Sequence, residues 1–220
     1  MASPMATTTK NALVLLLLAL LPLATLSSRA GPPSTHKSHG PKHPSPPPPS
    51  PPAALAALVR TTCNSTAYYD LCVSTLSADP SSATADVRGL SAIAVSAAAA
   101  NASGGAATAA ALAANVVANA TAGPSTADDA TVQALLRTCA AKYGQARDAL
   151  SAARGSIAGQ DYDYASVQVS AAAEYPQVCR VLFQRQRPGA YPAELAAREE
   201  ALRQLCTVAL DIITLLSNSS

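Results

Sequence analysis

The sequence predicts an all-α fold, and three observations carry that expectation. Apolar residues make up 49% of the chain while aromatics make up 4%, with no Trp and a single Phe. The apolar residues are chiefly Ala and Leu, which favour helices, whereas half-buried sheet surfaces favour aromatic and β-branched side chains. Third, Val132, Leu136, Cys139, Tyr143, Ala146, Leu150, Ala153 and Ile157 recur at alternating spacings of four and three, the signature of one apolar seam along a helix.

Residues 1–30 precede any fold. Lys10 leads into an apolar run from Ala12 to Leu26, followed by Ser28 and Ala30 at an A-x-A-like site; this pattern predicts a secretory signal peptide cleaved near Ala30. The run is shorter than the ~20 apolar residues of a membrane span and is interrupted by Pro22, so no membrane association is expected after cleavage. Residues 31–52 are rich in Pro, Ser, His and Lys and hold too few apolar side chains to offset the entropy of ordering. A disordered linker is expected, extended as polyproline II over Pro46 to Pro49. The run Ser45-Pro46-Pro47-Pro48-Pro49 resembles the repeat of extensins, which are plant cell-wall glycoproteins. That resemblance implies that Lys37, Lys42, His36, His39 and His43 help hold the protein to acidic wall polysaccharide.

The domain expected at residues 53–220 begins with two short apolar segments, Leu55 to Val59 and Tyr68 to Leu76, flanking Cys63 and Cys72. From Thr84 to Val117, the residues Val87, Leu90, Ile93 and Ala97 stand near helical spacing. Gly104-Gly105 interrupts the stretch, so two collinear helical pieces with a soft joint are expected. Next comes the 132–157 seam. Thr126 with Asp129 three residues on suggests a capping box at its start, Asp128 and Asp129 suit the positive end of the helix dipole, and Gly155 and Gly159 mark its end. A helix starting at Asp161 carries Ala165, Val169, Ala172, Pro176, Cys179 and Leu182 or Phe183 inward, with a kink at Pro176. The last helix spans about Pro192 to Ser217, with Leu195, Leu202, Ala209 and Leu216 at intervals of seven and Cys206, Ile212 and Ile213 filling the remaining core positions.

Most of the five cysteines in a secreted chain are expected to pair. Cys139 and Cys179 are equidistant from Gly159, the anticipated turn, so in an antiparallel hairpin they arrive at the same height on adjoining helices. The same symmetry about the turn near Ser65 to Ala67 brings Cys63 to Cys72. Cys206 is left as a free thiol, buried among Leu205, Val208 and Ala209 and therefore inert. A zinc site is disfavoured, because there is no C-x-x-C pair and no histidine near the cysteines; no metal or cofactor is expected.

Formal charge is +2, too small to suggest a nucleic-acid partner. Four of the 15 basic residues (Lys10, Arg29, Lys37, Lys42) and none of the 13 acidic ones precede residue 53, leaving 11 basic against 13 acidic in the domain. All three histidines also lie before residue 53, so the commonest general base is absent from the domain. It has no Gly-rich phosphate loop and no G-x-S-x-G elbow. The carboxylate pairs Asp128/Asp129 and Asp161/Asp163 sit where helices begin and are explained as caps. A binding protein is expected, not an enzyme, with no catalytic residue. Asn64-Ser65-Thr66, Asn101-Ala102-Ser103 and Asn119-Ala120-Thr121 are candidate N-glycosylation sites; Asn218-Ser219-Ser220 is a fourth sequon, too near the end to expect use.

The signal peptide, the C-x8-C hairpin and the two further cysteines about forty residues apart together resemble the plant invertase and pectin methylesterase inhibitor family. Leu135-Leu136-Arg137-Thr138-Cys139, with Tyr143, Asp148 and Leu150, is similar to that family's third-cysteine helix. Asp161-Tyr162-Asp163-Tyr164-Ala165, Val169-Ser170-Ala171-Ala172 and Cys179 are similar to its fourth-cysteine helix. The resemblance covers roughly Ala53 to Ser217. It implies an up-down-up-down four-helix bundle with an N-terminal helical hairpin, stapled by disulfides, that forms a one-to-one complex with a cell-wall carbohydrate enzyme. With the 132–157 seam inward, Arg137, Gln145 and Asp148 face outward, as do Ser170 and Glu174 on the next helix. These residues, with Gln160, Asp161, Tyr162, Asp163 and Tyr164 at the turn, are the candidate partner interface; the two tyrosines offer large contact area at low entropic cost. Invertase-directed members carry Pro-Lys-Phe where this chain has Asp161-Tyr162-Asp163. Its absence points to pectin methylesterase as partner, with acid invertase as the alternative and a structural wall glycoprotein as a further one.

Overall fold

The computed structural model describes residues 51–121 and 126–219, with backbone alone for 51–55 and 119–121. The expected signal peptide, most of the linker and all three histidines lie outside the described residues. Six helices and no strands occur among the described residues: α1 (Pro51–Cys63), α2 (Tyr69–Ala78), α3 (Val87–Thr121), α4 (Ala127–Ala158), α5 (Tyr162–Gln186) and α6 (Ala193–Ser217), with a 3₁₀ turn at Pro80–Thr84. α1 starts two residues before the boundary expected at 53. Proline suits the first turn of a helix, where its missing N–H would have no intrahelical partner.

Helices α3 to α6 form the bundle. α3 packs on α4 and α6, and α5 packs on the same two helices, so each core-facing seam lies between two neighbours. Short connections make consecutive helices antiparallel, the up-down-up-down arrangement. The α4 seam is buried from Leu136 through Ile157, and α5 contributes Ala165, Val169, Ala172, Cys179 and Phe183. At the 182/183 choice Phe183 takes the core position and Leu182 packs at its edge. α5 runs as one helix through the buried Pro176.

Local chemistry sets the helix ends. Thr126 and Asp129 form a complete capping box at α4, the Thr126 hydroxyl accepting from the Asp129 N–H at 3.1 Å and the Asp129 carboxylate accepting from the Thr126 N–H at 3.0 Å. These bonds satisfy N–H groups that the first helical turn leaves without partners. Gly155 stays helical and Gly159 caps the end. Gln160 follows at φ 61°, and Asp161 caps α5 by accepting from the Tyr164 N–H at 3.1 Å.

The soft joint expected at Gly104-Gly105 is absent, for α3 is continuous from Val87 to Thr121. A Cβ on Gly105 would overlap the ring of Tyr143, and one on Gly104 would lie 2.9 Å from the Arg198 guanidinium. Both glycines therefore serve close approach: the fully buried Tyr143 packs against α3 at Gly105, and its hydroxyl donates to the Leu195 carbonyl on α6 at 3.0 Å. α3 is also long and apolar enough to cross a bilayer by length and composition. Its contacts with α4 and α6 account for that apolarity in a bundle.

Two disulfides staple the fold. Cys139–Cys179 joins α4 to α5 with Cα atoms 5.0 Å apart, and Cys63–Cys72 closes the α1–α2 hairpin with Cα atoms 5.6 Å apart. Val59, Cys63, Cys72 and Leu76 form the buried inner side of that hairpin. Its turn is fastened to α6 twice. The Ala67 N–H donates to Asp211 at 2.8 Å, and Arg203 donates to the Tyr68 hydroxyl at 3.0 Å while lying over its ring.

Candidate partner-binding surface

All three candidates on α4 (Arg137, Gln145, Asp148) are exposed on its outer face. Arg137 leans toward α3, where it lines a shallow groove with Ala110, Ala113 and Val117. Gln145 leans toward α5. It accepts from Lys142 at 3.0 Å, and the same ammonium sits 5.8 Å from the centre of the Tyr175 ring on α5, so the outer surfaces of α4 and α5 are continuous. Asp148 is engaged by its neighbour Arg147, which donates from Nε and Nη2 at 3.0 and 2.8 Å.

On α5, Ser170 and Glu174 are exposed beside a groove of about 390 Å³ that also meets Arg203, Cys206 and Thr207 of α6. Sequence reasoning missed what surrounds them. Tyr164, Val167, Val178 and Val181 are 51, 61, 41 and 40% exposed, and they are four of the six large apolar side chains exposed among the described residues. At the α-helical advance per residue, these four with Ser170 and Glu174 fall within an arc of about 120°. Away from its core seam α5 thus exposes four large apolar side chains interspersed with Asp163, Ser170, Glu174 and Arg185. The signal was present as a second stripe of valines opposite the Val169–Cys179 seam.

The α4–α5 turn divides the remaining candidates. Gln160, Asp161 and Asp163 are exposed, and with Tyr162 and Ser217 they line a depression of about 240 Å³. Tyr162 packs against the core while Tyr164 points outward. Tyr164 is the more exposed of the two rings, and Tyr162 is half-buried. Asp161 is occupied as a cap. Arg137 stands far from this turn, roughly 30 Å along α4 at the helical rise, so the ten candidates form an elongated surface along the α4–α5 hairpin.

A polar strut behind α5 keeps this surface in place. Arg180 pairs with the buried Glu199 of α6 at 2.7 Å, and Tyr191 donates to the other oxygen of Glu199 at 3.0 Å. Burial, then the neighbouring Tyr143 and Glu199, pushes the Tyr191 hydroxyl above the ordinary tyrosine range. It remains a donor at all physiological pH. Burial likewise raises the Cys206 thiol to about 12, which leaves almost no thiolate to act as a nucleophile. No group of three or more His, Cys, Asp or Glu side chains is placed to hold a metal among the described residues. Asn64 and Asn218 are exposed and Asn101 is half-buried, while the Asn119 side chain lies outside the described residues.

Two disulfides, an up-down-up-down bundle and an N-terminal helical hairpin define the class of this protein as a stapled four-helix bundle. The chain belongs to the plant invertase/pectin methylesterase inhibitor family, whose sequence pattern matches residues 57–212. It is 73% identical to pectinesterase inhibitor 28 of Oryza sativa subsp. japonica over 162 residues, covering 74% of this chain and 70% of that protein. It is 39% identical to cell wall / vacuolar inhibitor of fructosidase 2 of Arabidopsis thaliana over 156 residues, covering 71% of this chain and 81% of that one. A crystal structure of a mutant form of a pectin methylesterase inhibitor from Arabidopsis matches with TM-score 0.51 at 20% identity, over 70% of this chain and 94% of the other. That likeness speaks to the fold. Membership places the chain among inhibitor proteins, not enzymes.

Proposed function

We propose that this chain is a secreted inhibitor of a plant pectin methylesterase, which it blocks in a one-to-one complex by laying the outer faces of α4 and α5 over the substrate cleft. The observation that carries the reading is the 73% identity to a rice pectinesterase inhibitor over 74% of the chain. The exposed Tyr164, Val167, Val178 and Val181 of α5 supply a physical reason for the location, because the buried centre of a partner-binding patch is more apolar than the surface around it and is enriched in tyrosine. Residues 1–30 direct secretion, and the cationic tract with Lys37 and Lys42 associates with acidic wall polysaccharide. Acid invertase is the second reading, favoured by the 39% identity to a fructosidase inhibitor.

The test is a parallel titration of the mature, oxidised protein against a plant pectin methylesterase and a plant acid invertase at wall pH. Loss of esterase activity alone, saturating near one equivalent, is the expected result. Loss of invertase activity alone would establish the second reading. Inhibition of neither would move the weight to a structural wall glycoprotein.

A further inference from the structure

The sequence holds four sequons, and the fold separates them. Asn101 lies midway along α3, half-buried, with its side-chain oxygen buried and unpartnered. One side of that amide is thus enclosed by the bundle, which disfavours a bulky sugar on the nitrogen beside it. Asn64 is the reverse case. It is exposed, one residue past α1, in the turn that the Cys63–Cys72 disulfide closes. The backbone and hydroxyl of Thr66 both donate to the Cys63 carbonyl, at 2.9 and 2.8 Å, and the turn they close presents the Asn64 side chain outward. That side chain makes no hydrogen bond among the described residues.

We propose that Asn64 carries an N-linked oligosaccharide in the mature protein and that Asn101 is left bare. The proposal rests on the secretory reading above, since the donor, an oligosaccharide on a polyprenyl diphosphate, is encountered on that route. Asn64 Nδ2 attacks the anomeric carbon of the first sugar. The N–C bond forms as the C–O bond to the diphosphate breaks, the lipid diphosphate leaves with the electron pair, and one Nδ2 proton passes to a base of the transferase. Because Ala67 and Tyr68 fasten this turn to Asp211 and Arg203 of α6, the glycan stands on the α6 side of the bundle, across from α4. It shields the hairpin disulfide and leaves the outer face of α4 open.

The experiment expresses the full chain in plant cells and maps glycopeptides by mass spectrometry before and after enzymatic glycan release. The expected result is a glycan on the peptide carrying Asn64, an aspartate in its place after release, and an unmodified Asn101. Asn64→Gln and Thr66→Ala each abolish that increment, so the loss of one variant to misfolding leaves the other as the check. A bare Asn64 in chain recovered from the medium, or a glycan on Asn101, would overturn the proposal. Chain retained in cells with residues 1–30 still attached would overturn the secretory reading and the glycan with it, and the mapped N-terminus distinguishes that failure from the first.

Discussion

Gly105 and Tyr143 illustrate how a single residue is chosen by what faces it. Alanine is the better helix former by about 1 kcal/mol, so on α3 considered alone Gly105→Ala would stabilise. A Cβ there overlaps the ring of Tyr143, which is fully buried and held by its bond to Leu195. Overpacking of this kind costs about 1–3 kcal/mol and wins. Gly105→Ala is expected to lower the melting temperature, whereas Gly104→Ala, which meets only the movable Arg198 guanidinium, lowers it much less; thermal unfolding followed by circular dichroism compares the two. Cys206 offers a second check at this scale. Buried and with its thiol raised to about 12, it is expected to resist iodoacetamide in the native protein and to react once denaturant is added. Rapid native labelling would show that α6 opens.

At the scale of elements, the α4–α5 hairpin is held at its start by a cap and in its middle by a disulfide. Cys139 and Cys179 are separated by 40 residues, and closing a loop of that length restricts the unfolded chain by about 4 kcal/mol. Replacing this pair by Cys139→Ser with Cys179→Ser, which leaves Cys63–Cys72 closed, is therefore expected to lower unfolding stability by about 3–5 kcal/mol in denaturant titrations, and an unchanged midpoint would contradict the role given to this staple. The cap carries a pH dependence of definite sign. Hydrogen bonds from the Thr126 backbone and side chain hold Asp129 below the usual carboxylate range. A group whose pKa is depressed by folding stabilises fully above its unfolded value, near pH 4, and loses that contribution as pH falls through the folded value. Thr126→Ala should lower the melting temperature at pH 6 and leave a shallower decline between pH 4 and pH 2. Parallel curves for variant and wild type would show that the box contributes nothing to the acid limb.

For the whole molecule, the decisive property is the uncovered side of α5. Exposed side chains contribute little to folding, so Val167→Lys with Val178→Lys is expected to leave the melting temperature nearly unchanged. If this face enters the esterase cleft, each valine acts as a small anchor and the pair weakens inhibition by about tenfold or more. A residual-activity titration reads that change directly. Undiminished inhibition would move the contact surface to α4 and the turn. The strut of Arg180, Glu199 and Tyr191 joins α5 to α6 and the connection between them, so its loss is a change of scaffold and not of contact chemistry.

What the sequence determined by itself was whatever depends on near neighbours. The alternating spacing from Val132 to Ile157, the Thr126–Asp129 box and the stop at Gly159 are local, because helix periodicity and capping involve residues within a turn or two of one another. The meeting of Cys139 with Cys179 follows from the same regular rise. Tertiary structure alone decided the matters that hang on what lies opposite. Gly104-Gly105 has the local propensity of a joint, yet packing against Tyr143 and Arg198 makes the same pair a close contact in an unbroken helix. Tyr162 turns inward and Tyr164 outward although two positions separate them. Glu199 looks like one more surface charge until Arg180 and Tyr191 surround it. The exposed valines of α5 were visible as letters, but their exposure was not, because a residue is uncovered only when the rest of the chain has packed elsewhere.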